Sequence, residues 1–234
     1  MKSFSNTYIF VFSTVMVILV AAILSSAAML LQPLQQKNIE IEQKKKILAS
    51  IQIDSDASNA ETLYDKFIKE TYVVNTKGDI VEGVDAFKVN MKDELRKPEE
   101  VRNLPVFIGM LDNGTKEYVL PVRVIGLWGA IFGYVSLNDD FVTIFGTDFD
   151  HDSETPGLGA EITTSWFQDQ FRGKKIFSTE GKFTSIEVVK GKVDPNSLNQ
   201  VDGISGSTLT SKGLEYMLYD CLSSYEAYLK KQMN

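Results

Sequence analysis

An uninterrupted apolar segment near the N-terminus constrains this chain more than any other feature of its sequence. No Lys, Arg, Asp, Glu or His occurs between Ser3 and Gln36, and the stretch Tyr8–Leu31 is almost wholly apolar. A helix needs roughly 20 apolar residues to cross the core of a bilayer. We therefore predict a transmembrane helix at 8–31, preceded by a short tail at 1–7. A cleavable signal is the alternative, although its apolar region normally spans only about 7–15 residues.

The residues that follow the apolar segment divide the rest of the chain. Pro33 predicts the end of the membrane helix, because proline has no amide hydrogen to donate to a helical carbonyl. Residues 32–60 are predicted to form a juxtamembrane helical segment, since Ile and Leu recur between charged residues from Asn38 to Ile53. Small polar residues then mark a break, and the predicted soluble domain occupies 61–234.

The basic residues around the apolar segment do not fix its orientation. One lysine precedes the segment, at Lys2, and a group of four lysines follows it, at Lys37, Lys44, Lys45 and Lys46. A simple count of positive charges would keep the soluble domain in the cytoplasm. Large C-terminal domains, however, translocate largely regardless of such charges. The residues by themselves therefore leave the side of the membrane open.

Composition excludes several classes of function for the soluble part. The 234 residues carry a net charge of -7, which argues against a nucleic-acid binder because such proteins usually present a basic surface. A single cysteine, Cys221, excludes an intramolecular disulfide framework and a Cys-rich metal cluster. His151 is the only histidine, and no Ser-His-Asp set or metal-ligand set can be assembled around it. We expect neither a catalytic side chain nor a bound metal in this chain.

The soluble part mixes strand and helix patterns, which predicts an α+β domain with an antiparallel sheet and a C-terminal helix. A short helix is predicted at Glu61–Glu70, where apolar residues recur at helical spacing. Tight turns are predicted at Lys77–Gly78, Asn113–Gly114 and Glu180–Gly181, each after a run typical of a strand. The strands predicted beside these turns are 72–75, 105–111, 117–125, 130–137, 174–178 and 182–189.

The predicted C-terminal helix carries its apolar residues on one face, as expected for a helix that packs against a sheet. These residues are Leu214, Met217, Leu218, Cys221, Leu222, Tyr225 and Leu229. Because Cys221 lies on this face, we interpret it as a buried small apolar residue and not as a reactive thiol.

A stretch rich in hydroxyl groups and glycine, Asp202–Leu214, leads into this helix. The first amide groups of a helix have no intrahelical acceptor, and the helix dipole favours negative charge there, so the stretch could anchor a phosphate. Its hydroxyls could equally be caps and turn formers, which Ser and Thr commonly are. The four hydroxyls at this point are on Ser205, Ser207, Thr208 and Thr210.

A second stretch of unusual composition, His151–Gly159, combines one proline with two glycines. Pro156 and the glycines Gly157 and Gly159 predict a defined loop whose amide groups could closely approach a planar ligand. Trp128 lies between two predicted strands, where a tryptophan more often packs in a core or at its rim than supports a ligand, although its ring would suit an aromatic cofactor.

Together the two stretches are similar to a known family. The run His151-x-x-Glu154-Thr155-Pro156-Gly157-Leu158-Gly159, followed by Asp202-x-x-Ser205-Gly206-x-Thr208, resembles the covalent FMN-binding domain family. With the N-terminal span, the segment at 38–48 and the residues Gly126–Gly129, the whole chain resembles the C subunits of sodium-translocating NADH:quinone oxidoreductases. The pairing of the two motifs carries most of this resemblance.

The resemblance implies roles for particular residues. Thr208 would form a phosphoester with FMN, donated from FAD by a separate flavin transferase that needs magnesium. Asp202, Ser205 and Gly206 would be recognised by that transferase. Ser207 stands where the family usually has Ala, and it adds a second hydroxyl next to Thr208. The residues implied to line the isoalloxazine are Glu154, Thr155, Pro156, Gly157, Leu158 and Gly159, and Trp128 is a further candidate for the cofactor site.

The resemblance also implies a function and a location. The chain would be an electron-transfer subunit in the bacterial inner membrane, single-pass, with its soluble domain on the periplasmic side. It would accept an electron from an iron centre in membrane subunits and pass it to a second FMN-bearing subunit, toward riboflavin and quinone. Because a single helix encloses no polar interior, the sodium path would lie in partner subunits.

Two alternatives differ from this interpretation. The FMN subunit of the ion-translocating ferredoxin:NAD oxidoreductase is a paralogue that shares both motifs, although the juxtamembrane segment and the chain length favour the quinone oxidoreductase. A membrane-anchored extracytoplasmic binding domain without a redox role would need the hydroxyl cluster only for capping.

Overall fold

The structure is a computed structural model that describes residues 5–126, 128–194 and 196–233. The helices are α1 (Asn6–Ser50), α2 (Ala60–Phe67), α3 (Met91–Glu94), α4 (Ser165–Gln168), α5 (Thr208–Ser224) and α6 (Glu226–Met233). The strands are β1 (Ile68–Val74), β2 (Ile80–Val81), β3 (Leu104–Met110), β4 (Lys116–Ile125), β5 (Ala130–Leu137), β6 (Ile144–His151), β7 (Glu187–Val189) and β8 (Gln200–Asp202). The chain divides into two units, Met1–Gln43 and Lys44–Asn234.

The first unit contains most of α1, a helix that is long and apolar enough to cross a membrane. Its apolar side chains are exposed, and Leu30 for example is 79% exposed. The prediction that the helix ends at Pro33 is wrong, because α1 continues through this residue to Ser50. A proline inside a helix costs about 3 kcal/mol, and the strong helix formers on both sides of Pro33 offset that cost.

An antiparallel sheet forms the centre of the second unit. Its strand order is β2-β1-β3-β4-β5-β6, so that β3 to β6 form a meander. The predicted turns at Lys77–Gly78 and Asn113–Gly114 connect paired strands, and Gly114 has a φ of +84° that glycine adopts easily. The predicted α+β class and the antiparallel sheet are confirmed.

Side chains on the two faces of the sheet enter two different cores, as the alternation along a strand requires. Leu120 and Val122 of β4 pack in the larger core with the apolar face of α5. Val119 packs on the opposite face with Ile47 and Leu48 from the end of α1. Every apolar residue that the sequence places on the inner face of the C-terminal helix is buried, from Leu214 to Leu229. The single helix predicted there is wrong, because α5 ends at Ser224 and α6 begins at Glu226.

Cys221 lies in the larger core, as predicted. Its thiol donates a hydrogen bond to the carbonyl oxygen of Arg123 at 3.2 Å, and the residue is 1% exposed. Burial disfavours the thiolate and raises the pKa of Cys221 to about 12. The side chain therefore behaves as a small core residue.

Three local predictions differ from the structure. The predicted helix at Glu61–Glu70 ends early, because the chain enters β1 at Ile68. The predicted hairpin around Glu180–Gly181 is reduced to one bridge between Phe177 and Phe183, and β7 instead pairs in parallel with β8. The sequence pattern predicts no strand at β6, whose two aspartates and one glycine are unfavourable in strands but which pairs along β5.

Candidate functional site

The turn that precedes α5 is fixed by backbone hydrogen bonds. The amide of Gly203 donates to the carbonyl oxygen of Val189 at 2.8 Å, and the amide of Ser207 donates to Ile204 at 3.0 Å. Gly206 has a φ of +77°, a left-handed conformation that glycine adopts without strain. Helix α5 then begins at Thr208, and the side chain of the N-cap residue Ser207 makes no capping hydrogen bond. The first turn of α5 therefore keeps amide groups that need an acceptor.

Burial separates the hydroxyl groups of this stretch into two sets. Ser207 and Thr210 are buried, with 6% and 4% of their surface exposed. Ser205 and Thr208 are exposed. Thr208 is thus the exposed hydroxyl residue of the first helical turn, at the end of α5 where the helix dipole favours a negative charge.

The loop that follows β6 closes on itself through the carbonyl oxygen of Thr155. This oxygen accepts hydrogen bonds from the amides of Leu158 and Ala160, both at 3.1 Å. Gly157 has a φ of +74°, and a short 3-10 helix begins at Gly159. The predicted defined loop at Glu154–Gly159 is therefore present, and all of its residues except Glu154 and Gly159 are exposed.

Two direct contacts join this loop to the start of α5. The hydroxyl of Thr210 donates a hydrogen bond to Glu154 Oε2 at 2.8 Å, and both side chains are buried. A Cβ atom on Gly159 would lie 2.2 Å from that oxygen and 2.6 Å from Thr210 Oγ1, so no larger residue fits without displacing them. Leu158 Cδ2 lies 2.9 Å from the position of a Cβ atom on Gly206. The two motifs of the sequence therefore form one site.

The turn between β4 and β5 is the third segment of the site. Leu127 lies outside the described residues, and Trp128 is 65% exposed. A Cβ atom on Gly129 would lie 2.9 Å from Asp152 Cβ, and the amide of Ala130 donates to the Asp152 carboxylate at 3.2 Å. Gly129 and Ala130, which follow Trp128, thereby lie against Asp152 in the segment that leads into the Glu154–Gly159 loop.

Ile131 connects the same turn to helix α5. Its Cδ1 atom lies 3.1 Å from the Cβ position of Gly126 and 3.6 Å from that of Gly213 in the second turn of α5. Together with the contacts above, this links the turn, the loop and the N-terminal part of α5 to one another. Exposed apolar side chains occur at the end of β4, in the turn, in the loop and in the first turn of α5: Ile125, Trp128, Leu158 and Leu209 respectively.

Asp202 and His151, which the sequence places in the two motifs, make local contacts. One carboxylate oxygen of Asp202 accepts a hydrogen bond from the amide of Val193 at 2.6 Å, which ties the end of β8 to the preceding loop. His151 Nδ1 accepts a hydrogen bond from the amide of Glu154 at 3.1 Å, which fixes the entry to the next loop. Among the described residues, no three side chains of His, Cys, Asp or Glu come together as a metal site.

Sequence reasoning missed two contributors to the site. Ser211 Oγ accepts a hydrogen bond from the amide of Ile204 at 3.2 Å and so holds the turn against α5. Leu209 is 65% exposed in the first turn of the helix. One signal in the sequence pointed to Leu209: it is apolar and lies outside the predicted stripe from Leu214 to Leu229. Nothing in the sequence indicated the partner of Ser211.

The site lies within a region that matches known proteins. Residues 126–223 match the FMN-binding domain family, a range that runs from the turn beside Trp128 into α5 and includes all three segments. The chain is 33% identical to the C subunit of the Na(+)-translocating NADH-quinone reductase of Haemophilus ducreyi over 82% of this chain and 80% of that protein. It belongs to the family of C subunits of Na(+)-translocating NADH-quinone reductases.

Two further members of this family match this chain over most of its length. The chain is 29% identical to the Pseudomonas aeruginosa protein over 92% of this chain and 94% of that one. The crystal structure of the Parabacteroides distasonis protein aligns with this chain with a TM-score of 0.78 at 42% identity. The alignment covers 85% of this chain and 96% of the Parabacteroides distasonis chain. The family's proteins are subunits of an oxidoreductase, and this membership together with the apolar part of α1 supports a membrane-anchored subunit.

Proposed function

We propose that this chain carries FMN as a phosphoester on Thr208 and relays electrons within a sodium-translocating NADH:quinone oxidoreductase. The observation that carries the proposal is the exposed hydroxyl of Thr208 in the first turn of α5, beside the buried hydroxyls of Ser207 and Thr210. In the transfer from FAD, Thr208 Oγ1 would bond to the phosphorus of the FMN moiety, its proton would leave, and AMP would be released.

The residues around Thr208 fit a phosphate bound at this point. Gly206 allows the backbone of the turn to approach a ligand closely, and the first amides of α5 are donors without intrahelical acceptors. A phosphodiester retains one negative charge, which a helix N-terminus stabilises by about 0.3–1 kcal/mol. The contact between Leu158 and Gly206 keeps the loop beside the turn.

The exposed apolar side chains fit the aromatic part of the same cofactor. Trp128, Leu158 and Leu209 are exposed apolar side chains, one in each of the three segments, on which a planar ring could stack. The isoalloxazine, when bound, would supply the redox chemistry. The contribution of the chain is to position the ring, exclude water from it and donate backbone hydrogen bonds from the loop.

Gel fluorescence tests the proposal against a binding domain without a redox role. The full chain is co-expressed with a flavin transferase, denatured and separated on a gel. We expect a yellow-green fluorescent band at the size of the chain, because the phosphoester survives denaturation. A band that stays dark would contradict the proposal and favour the non-redox alternative.

We further propose that the soluble domain faces the periplasm and that partner subunits there exchange electrons with it. The partners implied by the family resemblance are an iron-centre pair in the membrane subunits and a second FMN-bearing subunit. Protease added to intact spheroplasts should then digest the second unit, Lys44–Asn234. Full protection of the domain until the membrane is broken would place it in the cytoplasm instead.

A further inference from the structure

The carboxylate of Glu154 is buried beside the proposed flavin attachment site. The residue is 5% exposed, and its Oε2 accepts the hydrogen bond from Thr210. Within the described part of the chain, its Oε1 is buried and has no hydrogen-bond partner. A side chain in this position is shielded from the surface on which the cofactor would lie, so lining the isoalloxazine does not account for it.

A buried carboxylate is costly unless an opposing charge or hydrogen bonds compensate for it. Here the compensation comes from helix α5. Thr210 is the third residue of the helix, and its hydroxyl holds Glu154 at the N-terminal end, where the dipole attracts negative charge. Gly159 completes the arrangement, because any side chain there would displace both groups.

We propose that Glu154 is a positioning residue of the flavin site, which holds the loop against α5 through Thr210 and lowers the flavin's reduction potential by its charge. The inference rests on the proposed attachment of FMN to Thr208, two residues from Thr210 in the same turn. A fixed negative charge near a redox group disfavours the gain of an electron, and the interaction is stronger in a low-dielectric interior than in water.

Variants of the two partners separate the hydrogen bond from the charge. Glu154→Gln keeps the shape of the side chain and removes the charge. Thr210→Val keeps the carboxyl group of Glu154 and removes its hydrogen bond, while Thr210→Ser restores a hydroxyl at the same place. Glu180→Gln is the matched control for the loss of one negative charge, since Glu180 is exposed in the turn before Gly181.

The test uses the full chain, co-expressed with a flavin transferase and purified in detergent. The covalent flavin per chain is measured by absorbance after denaturation, and the midpoint potential is measured by redox titration of the loaded protein. We expect Glu154→Gln to shift the potential to a more positive value and Glu180→Gln to leave it unchanged. We expect Thr210→Val to lower the flavin content severalfold and Thr210→Ser to restore the content.

Specific results would overturn the inference. If Glu154→Gln only lowers the melting temperature and the loaded fraction keeps the parent potential, Glu154 has a purely structural role. If Glu154→Gln does not fold, an unchanged flavin content in Thr210→Val overturns the positioning role by itself. A parent chain without covalent flavin would overturn the proposed function and this inference together, whereas a flavinylated parent with unchanged variants overturns this inference alone.

Discussion

The first turn of α5 and the C-terminal half of the same helix differ in what their side chains contact. Thr208 and Leu209 are exposed, whereas Leu218, Cys221 and Leu222 are buried in the larger core. Substitutions at Thr208 and Leu209 are therefore expected to have little effect on the fold, whereas substitutions in the buried second half are not tolerated as easily. One helix can thus present a site at its exposed end because its other end is anchored in the core.

The largest effect on stability is expected where α5 is most deeply buried. Leu218→Ala removes a side chain that is 0% exposed in the larger core, and we expect it to lower the free energy of unfolding by about 2–5 kcal/mol. Leu209→Ala is the matched control, since that side chain is 65% exposed and should change stability by less than about 0.5 kcal/mol. Urea unfolding of the full chain in detergent, followed by circular dichroism, measures both. Equal losses for the two variants would break the comparison between the two ends of α5.

A buried carboxylate away from the site is expected to affect stability in a pH-dependent way. Glu117 of β4 is 2% exposed, and burial raises its pKa from an ordinary value of 4.5 to about 7. Between these values the folded chain binds the proton and the unfolded chain does not, so stability falls as pH rises. The expected loss from pH 4.5 to pH 8 is roughly 3 kcal/mol, and Glu117→Gln should remove it.

The measurement for Glu117 is the difference in unfolding free energy between the parent and Glu117→Gln at several pH values. We expect the variant to gain stability relative to the parent as pH rises from about 4.5 to about 7, and the gain to be constant above that. If the difference in unfolding free energy does not depend on pH, the pKa of Glu117 in the folded chain is not raised, which would contradict the prediction. Flavin content should be the same in both proteins.

A smaller loss is expected from one buried hydrogen bond at the end of α5. The hydroxyl of Tyr225 donates to the carbonyl oxygen of Pro105 at 2.9 Å, and the side chain is 0% exposed. Tyr225→Phe removes only this bond and should lower the unfolding free energy by about 1 kcal/mol. Tyr216→Phe is the control, because Tyr216 is 67% exposed on the same helix. A Tyr225→Phe protein as stable as the control would contradict the role of the bond.

Local sequence patterns predicted the parts of the fold that short-range physics determines. The stripe from Leu214 to Leu229 and the glycine turn at Asn113–Gly114 needed only helical spacing and turn chemistry. The other strands are determined by pairing between segments that are distant in the sequence. β6 becomes a strand because β5 lies beside it, and β7 pairs with β8 instead of completing the predicted hairpin.

The segments of the candidate site could be found from the sequence, but the contacts between them could not, for a similar reason. The resemblance to the FMN-binding family pointed to Thr208 and the Glu154–Gly159 loop, and the start of α5 lies next to this loop in the structure. The hydrogen bond between Thr210 and Glu154 joins residues that are 56 positions apart in the chain, which no spacing rule could indicate. From the sequence, Gly159 was expected to let the backbone approach a ligand closely. In the structure, the missing side chain at Gly159 instead leaves room for the buried side chains of Glu154 and Thr210.

The attachment of FMN to Thr208 is the central claim, and peptide mass spectrometry of the parent chain and Thr208→Val tests it most directly. After co-expression with a flavin transferase, we predict a peptide from the parent that carries the mass of FMN less one water on Thr208. We predict an unmodified peptide in Thr208→Val, with a free energy of unfolding within about 0.5 kcal/mol of the parent's when both are measured without flavin, because the residue is exposed. A flavin on Ser205, Ser207 or Thr210, or a flavinylated Thr208→Val chain, would contradict the claim.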